Sequence, residues 1–384
     1  MRPLALYLPQ FHSFKENDEW WGSGYTEWTA VRRAKPLFSG HAEPREPYDG
    51  DHYDLSDPAG TRLSIQADMA REYGIYGFVF YQYYFTGHKL MERPMEILLS
   101  HPEIDLRYCI CWANETWTRA WYDKQEEVLM KQEYGGEAEW KAHFEELLPF
   151  FKDERYIKCE GRPMLCIYRT FDIDELASMR KCFDRWAVEA GFEGIYLVGG
   201  KTAGETDDRG ICDARYYFEP GYSLKHGLPP LRSLSYKLST GSRHLYNKIF
   251  GKEILERRIP IEWIYSSISD RDYAENEFPG IVARWDNTPR RGYKGLVYTG
   301  ASPAGFKETL CKLDKVVPSD RFVFINAWNE WGEGAMLEPD KAEGFGYLEA
   351  VRDVCGGSDD QREQENHGDR GDRGNQGDLG DQGE

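Results

Sequence analysis

Eight short apolar runs recur along the 384-residue chain, and most are separated by stretches of helical periodicity. The runs are LALYLPQF, GIYGFVFYQYYF, LRYCICWANE, RPMLCIYR, GIYLVGG, ARYYFEP, GIVARWDN and RFVFINAWNEW. A strand wetted on one face alternates apolar and polar residues. These runs do not, so they read as parallel strands covered on both faces by helices. The intervening stretches supply such helices, among them EAEWKAHFEELLPFF, DELASMRKCFDRWAVEAG and PAGFKETLCKLDKVV. Eight units of this kind predict an α/β fold, a (β/α)8 TIM barrel over residues 1–355. A doubly wound sheet would carry a glycine-rich phosphate turn after an early strand, and neither GxGxxG nor GxxxxGK[ST] occurs.

Two connections exceed what a minimal barrel needs. Residues 12–57 follow the first strand and are rich in Gly, Pro and Trp. They are expected to form a lid or wall over the barrel mouth. Residues 220–279 follow the sixth strand, and RHLYNKIFGKEILERR within them is expected to hold a short basic amphipathic helix. From residue 356 the composition changes, with nine acidic and three basic residues and Gly at every third position from Gly368 to Gly383. Without proline this is expected to be a disordered acidic Gly-rich tail (356–384), not a triple helix.

The net charge is −18, of which the tail carries −6, leaving about −12 on the barrel. That balance disfavours nucleic acid as a partner, and also adsorption to an anionic membrane. No stretch approaches the ~20 apolar residues of a membrane span. The opening MRPLALYLPQFH reads as the first strand, not as a signal peptide, and the expectation is a soluble cytoplasmic protein. Eight cysteines without a paired CxxC or His cluster read as reduced thiols, and no metal or cofactor is expected.

In a barrel, chemistry sits at the C-terminal ends of the strands. There the sequence collects carboxylates, amides and indoles: His12 after the first strand, Tyr81 at the second, Trp112, Asn114, Glu115, Trp117 and Arg119 after the third. Arg169 follows the fourth, Trp285 the seventh, and Asn326, Trp328, Asn329, Glu330, Trp331 and Glu333 the eighth. This mixture suits an oligosaccharide or polysaccharide, whose hydroxyls bond to polar groups and whose C–H faces stack on aromatic rings. Glu330 and Glu333 are the candidate catalytic pair, since two nearby carboxyls are the usual equipment for breaking a glycosidic bond. Trp28, Trp112, Trp117, Trp285, Trp328 and Trp331 are candidates for stacking. His12, Tyr81, Asn114, Glu115, Arg119, Arg169, Asn326 and Asn329 are candidates for hydroxyl contacts. Asn114 and Glu115 serve equally well in a structural network, and Arg169 could pair with Glu115 or Glu219. Gly332 and Gly334 leave the backbone room to turn and aim both carboxylates.

Nine segments carry a family resemblance: LYLPQFH, NDEWWGSGYTEW, KPLFSGHAEPREP, HYDLSDP, YGIYGFVFYQYYF, CWANETWTR, FKDERYIKCEGRPMLCIYR, ARWDNTPRRG and FINAWNEWGEGAMLEPD. Together, over about residues 2–350, they resemble the WbsX-type proteins. These are relatives of glycoside hydrolase family 99, often encoded with bacterial polysaccharide or O-antigen genes. The resemblance implies the same barrel and metal-free glycan chemistry of the retaining endo-α-mannosidase kind. It implies that Glu330 assists attack by the sugar's own 2-hydroxyl and that Glu333 is general acid/base. Three activities stay open at this level: hydrolysis of an α-linked glycan, glycosyl transfer in surface polysaccharide assembly, and glycan binding without catalysis.

Overall fold

In a computed structural model, which describes residues 1–119 and 124–356, the eight apolar runs are parallel strands of one barrel. They are β1 (Arg2–Tyr7), β2 (Gly77–Phe85), β3 (Tyr108–Trp112), β4 (Arg162–Ile167), β5 (Tyr196–Lys201) and β6 (Ala214–Tyr217). β7 comes in two pieces, Glu277–Phe278 and Gly280–Val282, and β8 is Phe322–Asn326. Nine parallel segments therefore follow one another around the sheet in chain order. The barrel closes at β7, whose first piece pairs with β6 and whose second pairs with β8. Pro279 divides the pieces because it has no N–H for the ladder, although its carbonyl accepts from Phe324 N at 2.8 Å.

Burial on both faces is what makes the strands continuously apolar. Every residue of β3 and β8 is buried. Inward side chains fill the lumen: the thiol of Cys111 on β3 meets the Tyr216 hydroxyl on β6 at 3.4 Å. Tyr216 in turn stacks on Phe324 of β8, with ring centroids 4.5 Å apart. None of the eight cysteines is in a disulfide.

Among the described residues, seven helices cover the outside: Thr61–Glu72, Arg93–Ser100, Glu137–Lys152, Leu176–Glu189, Ile261–Ser269, Pro303–Asp314 and Gly346–Cys355. Helix Glu137–Lys152 shows why. It buries Trp140, His143, Phe144, Leu147 and Phe151, one stripe at the helical period. β5 passes to β6 through residues 202–213 with no helix among the described residues.

The connection after β1 holds two short helices, Lys15–Trp21 and Glu27–Arg33. The connection after β6 differs from expectation. Its helix runs Pro230–Phe250, starting well before Arg243, because Pro229 and Pro230 preset the first turn. KEILERR lies beyond that helix, and Arg257–Pro260 pairs in parallel with Leu296–Thr299. Residues 220–279 are thus only partly an insertion, since Ile261–Ser269 is one of the helices covering the barrel. The tail expected from 356 lies, from residue 357 on, outside the described residues.

One buried carboxylate ties the first connection to the segment after β8. Glu338 accepts from Tyr53 Oη, Gln66 Nε2 and Trp331 Nε1, each at 2.7 Å. Gln66 passes the link to the Tyr7 hydroxyl of β1 at 2.6 Å, and Arg62 stands 3.5 Å from the carboxylate. Removing it leaves several buried donors unpaired. We expect Glu338→Ala to lower the unfolding free energy by about 3–5 kcal/mol, measured from the urea midpoint at constant m-value.

Candidate active site

After β8 the chain turns back on itself. Asn329–Glu330 pairs antiparallel with Ala335–Met336, and residues Trp331–Glu333 form the tip. The tight tip brings Glu330 and Glu333 to the same side. Gly332 is required there by a close approach: a Cβ on it would overlap the Glu27 carboxylate and crowd Arg290 Nε. Arg290 is the centre of the arrangement. Its Nε lies 2.7 Å from Glu27 Oε1, its Nη2 2.9 Å from Glu330 Oε2 and its Nη1 2.9 Å from Glu333 Oε1. The two candidate catalytic carboxylates are therefore held on adjacent nitrogens of one planar guanidinium.

The electrostatics follow from burial. The side chains of Arg290 and Glu330 are 6% and 10% exposed, that of Glu333 is 21% exposed, and Glu27 is fully buried. Loss of solvent pushes Glu330 up to about 8; Arg290 opposes this, and the charges of Glu333 and Glu27 add to it. Burial raises Glu333 as well, again against Arg290.

Asp286 joins the two halves of the site. Its carboxylate braces the start of the short helix Thr288–Arg291 that carries Arg290, accepting from Thr288 N at 3.0 Å and Thr288 Oγ1 at 2.6 Å. Its backbone N–H donates to the Glu333 carbonyl at 2.6 Å. Behind it, His41 Nε2 lies 2.5 Å from Asp286 Oδ2. His41, Glu43 and Asp286 are close enough to converge on a cation. The hydrogen bonding does not fit one: the Leu37 N–H donates to His41 Nδ1 at 3.0 Å, so the ring proton sits on Nε2 and faces Asp286. Glu43, pushed up to about 8 by burial and by the charge of Asp286, completes a proton-holding support.

A cleft of about 270 Å³ opens over the pair, walled by Leu8, Gln10, Tyr81, Tyr83, Ala113, Glu115, Trp117, Tyr168, Phe218, Trp285, Arg290, Glu330 and Glu333. Of the residues singled out from sequence, it brings together Tyr81, Glu115, Trp117, Trp285, Glu330 and Glu333. The indole N–H of Trp285 is buried without a hydrogen-bond partner. Arg169 stands behind Glu115, bonded to it at 3.0 Å and to Asp172 at 2.8 Å.

Other candidates lie off this wall, and most have polar atoms committed elsewhere. Trp28 donates to the Tyr53 carbonyl and Trp112 to the Tyr84 carbonyl. Trp331 is held by Glu338 and packs on Trp28, with ring centroids 5.2 Å apart. Trp328 is fully buried against Phe78. These four indoles are core, not stacking platforms facing the cleft. Asn114 bonds to both the N–H and the carbonyl of Arg169, and Asn326 donates to the Glu219 carbonyl. Asn329 brackets Leu8, accepting from its N–H at 2.8 Å and donating to its carbonyl at 2.9 Å. His12 is buried beside Phe14, with Nδ1 3.1 Å from the Pro9 carbonyl. The side chain of Arg119 is outside the described residues.

Sequence reasoning did not pick out Arg290 or Glu27. The only local traces are the NTPRRG and GYTEW segments, which by themselves say nothing of a shared ion pair.

Comparison with known proteins places this geometry. A family model described as Glycosyltransferase WbsX matches residues 3–351. Two curated proteins of Xanthomonas campestris pv. campestris, both described as uncharacterized protein WxcX, are 36% identical over 356 residues, covering 91% of this chain and 49% of theirs. The chain thus spans about half the length of the curated relatives it matches. Among solved structures, the GH99 endo-alpha-mannosidase from Bacteroides thetaiotaomicron is similar at a TM-score of 0.54 and 12% identity, covering 95% of this chain and 98% of that one. A glycoside hydrolase-like protein is similar at a TM-score of 0.56 and 12% identity, covering 92% and 93%. At that identity the two structures establish the shared barrel fold.

The bracket on Leu8 separates two roles for Asn329. If it holds β1 to the hairpin, Asn329→Ala strands a buried N–H and a buried carbonyl and costs roughly 2–4 kcal/mol. We expect a lowered urea midpoint. A residue used only for substrate contact would leave the midpoint in place and raise KM.

Proposed function

The chain belongs to the WbsX family, a carbohydrate-active family, and from that premise we propose that it cleaves or transfers an α-linked glycan, with Glu330 and Glu333 as the catalytic pair. The observation that carries this reading is the joint hold of Arg290 on both carboxylates at one side of an aromatic-walled cleft. Breaking a glycosidic bond requires a proton for the leaving oxygen and a carboxylate acting at the reacting carbon or on its neighbour. Burial favours a proton on the pair and Arg290 favours a charge, so the pair titrates as a unit with donor and acceptor together near neutral pH.

We assign the more exposed Glu333 to the glycosidic oxygen and the deeper Glu330 to the sugar's 2-hydroxyl, in keeping with the family resemblance. In that scheme the 2-oxygen attacks the anomeric carbon as Glu330 takes its proton, and Glu333 protonates the departing oxygen. Water or an acceptor hydroxyl then opens the epoxide-like intermediate. Trp117, Tyr83 and Trp285 offer faces to the sugar ring. An α-mannose-containing glycan is the first substrate to try, because the structurally similar hydrolase is an endo-α-mannosidase. The family model's own description favours transfer as the second reading, in surface polysaccharide assembly.

Glu333→Gln should lower kcat by roughly 10²–10⁴ while oligosaccharide binding survives. Product anomers are followed by NMR across a panel of α-linked oligosaccharides. An unchanged rate in Glu333→Gln would end the proposal. The pH–rate profile should be bell-shaped, rising as Glu330 ionises toward about 8 and falling as Glu333 gives up the proton it must donate. Thermal stabilisation by sugar nucleotides alone, and not by free oligosaccharides, would select transfer over hydrolysis.

A further inference from the structure

The helix Pro230–Phe250 presents its apolar side to solvent. Leu231, Leu234, Leu238, Leu245 and Ile249 are 82%, 53%, 65%, 55% and 63% exposed. At ~100° per residue these five fall within about 60° of arc. Eight of the fourteen large hydrophobic side chains exposed among the described residues lie between 231 and 254. The opposite side is the one that packs. Asn247 is buried and bonds to Ile254, Arg243 reaches the Glu256 carbonyl at 3.4 Å, and Arg232 sits over the Trp263 ring at 5.6 Å. The apolar stripe is therefore not a core face left loose, since the helix is anchored by its other side.

Charge says what covers the stripe. Residues 226–252 contain no Asp or Glu, whereas Arg232, Lys237, Arg243, Lys248 and Lys252 are basic, in a chain of net charge −18. Lys237 and Lys248 flank one edge of the stripe by the same helical count. A second copy would set lysine against lysine. Residues 357–384 are acidic but offer a single large apolar side chain, Leu379, too little to cover five. An apolar stripe edged by lysines, on a helix without acids, matches an interface that is hydrocarbon below and anionic above.

We infer that the helix Pro230–Phe250 lies in the surface of an anionic phospholipid bilayer and docks the barrel there. No helix of the described residues is long and apolar enough to cross a membrane, so the contact is peripheral. The overall negative charge that disfavours such adsorption is answered locally, because screening limits repulsion from charges more than ~10 Å away. This inference stands on the helix alone and is independent of the chemistry assigned to the cleft.

The test is sedimentation of the full chain with vesicles of phosphatidylcholine containing about 30% phosphatidylglycerol, against phosphatidylcholine alone. Binding to the anionic vesicles should be roughly tenfold stronger or more, and should weaken as salt is raised. The variant carrying Leu234→Glu, Leu238→Glu and Leu245→Glu should lose it. Because all three positions are exposed, its melting temperature should match the parent. Absence of binding by the parent, or undiminished binding by the variant, would overturn the inference. So would a parent dimer that the variant converts to a monomer without lipid, which would assign the stripe to a second copy.

Discussion

The guanidinium of Arg290 is shared by Glu27, Glu330 and Glu333, and the open end of the barrel is arranged around that sharing. Three carboxylates and one cation in a largely dry site would leave an uncompensated double negative charge if every carboxyl ionised. Burying unpaired charge is among the most expensive things a fold can do. A proton on the pair would relieve part of this, and burial with the neighbouring carboxylates raises Glu330 while Arg290 opposes the rise. In the proposed chemistry the stabilising problem and the catalytic capacity of the pair are one property. A pair that retains one proton near neutrality has both a donor and an acceptor in place.

The rest of the scaffold sets the reach of that guanidinium. Glu27 arrives on the connection after β1, Arg290 on the one after β7, and the glutamate pair on the hairpin after β8. Asn329 fastens the hairpin to Leu8, Glu338 fastens the first connection to Trp331, and Asp286 fastens the Arg290 helix to the backbone of Glu333. These contacts join residues far apart in sequence, so the site forms only when the barrel has closed. His41 and Glu43 extend the same logic one layer outward, keeping a proton beside Asp286 instead of a cation.

The strands were legible because burial on both faces leaves an apolar run that no loop or amphipathic helix imitates. The glutamate pair was legible because two carboxyls three residues apart at a strand end are hard to explain as surface decoration. The indoles were not, because tryptophan is written the same way whether it stacks on a sugar or fills a core. Trp117 and Trp285 line the cleft, whereas Trp28, Trp112, Trp328 and Trp331 are packed away from it. Arg290 left no local trace, since its meaning comes from partners on two other connections. The helix Pro230–Phe250 was placed too late because Ser233, Ser235, Ser239, Thr240, Gly241 and Ser242 are weak helix formers and read as loop. Its exposed leucines are a surface property that periodicity alone cannot separate from a core stripe.

The central claim is that the pair on Arg290 keeps a proton at neutral pH, and titration of the side-chain carboxyl carbons by ¹³C NMR reads this without any substrate. Assignment comes from the spectra of Glu330→Gln and Glu333→Gln. The account predicts a Glu330 midpoint near 8, displaced when Arg290 is replaced by lysine. Two carboxyls that both titrate at the ordinary 4.5 would contradict it.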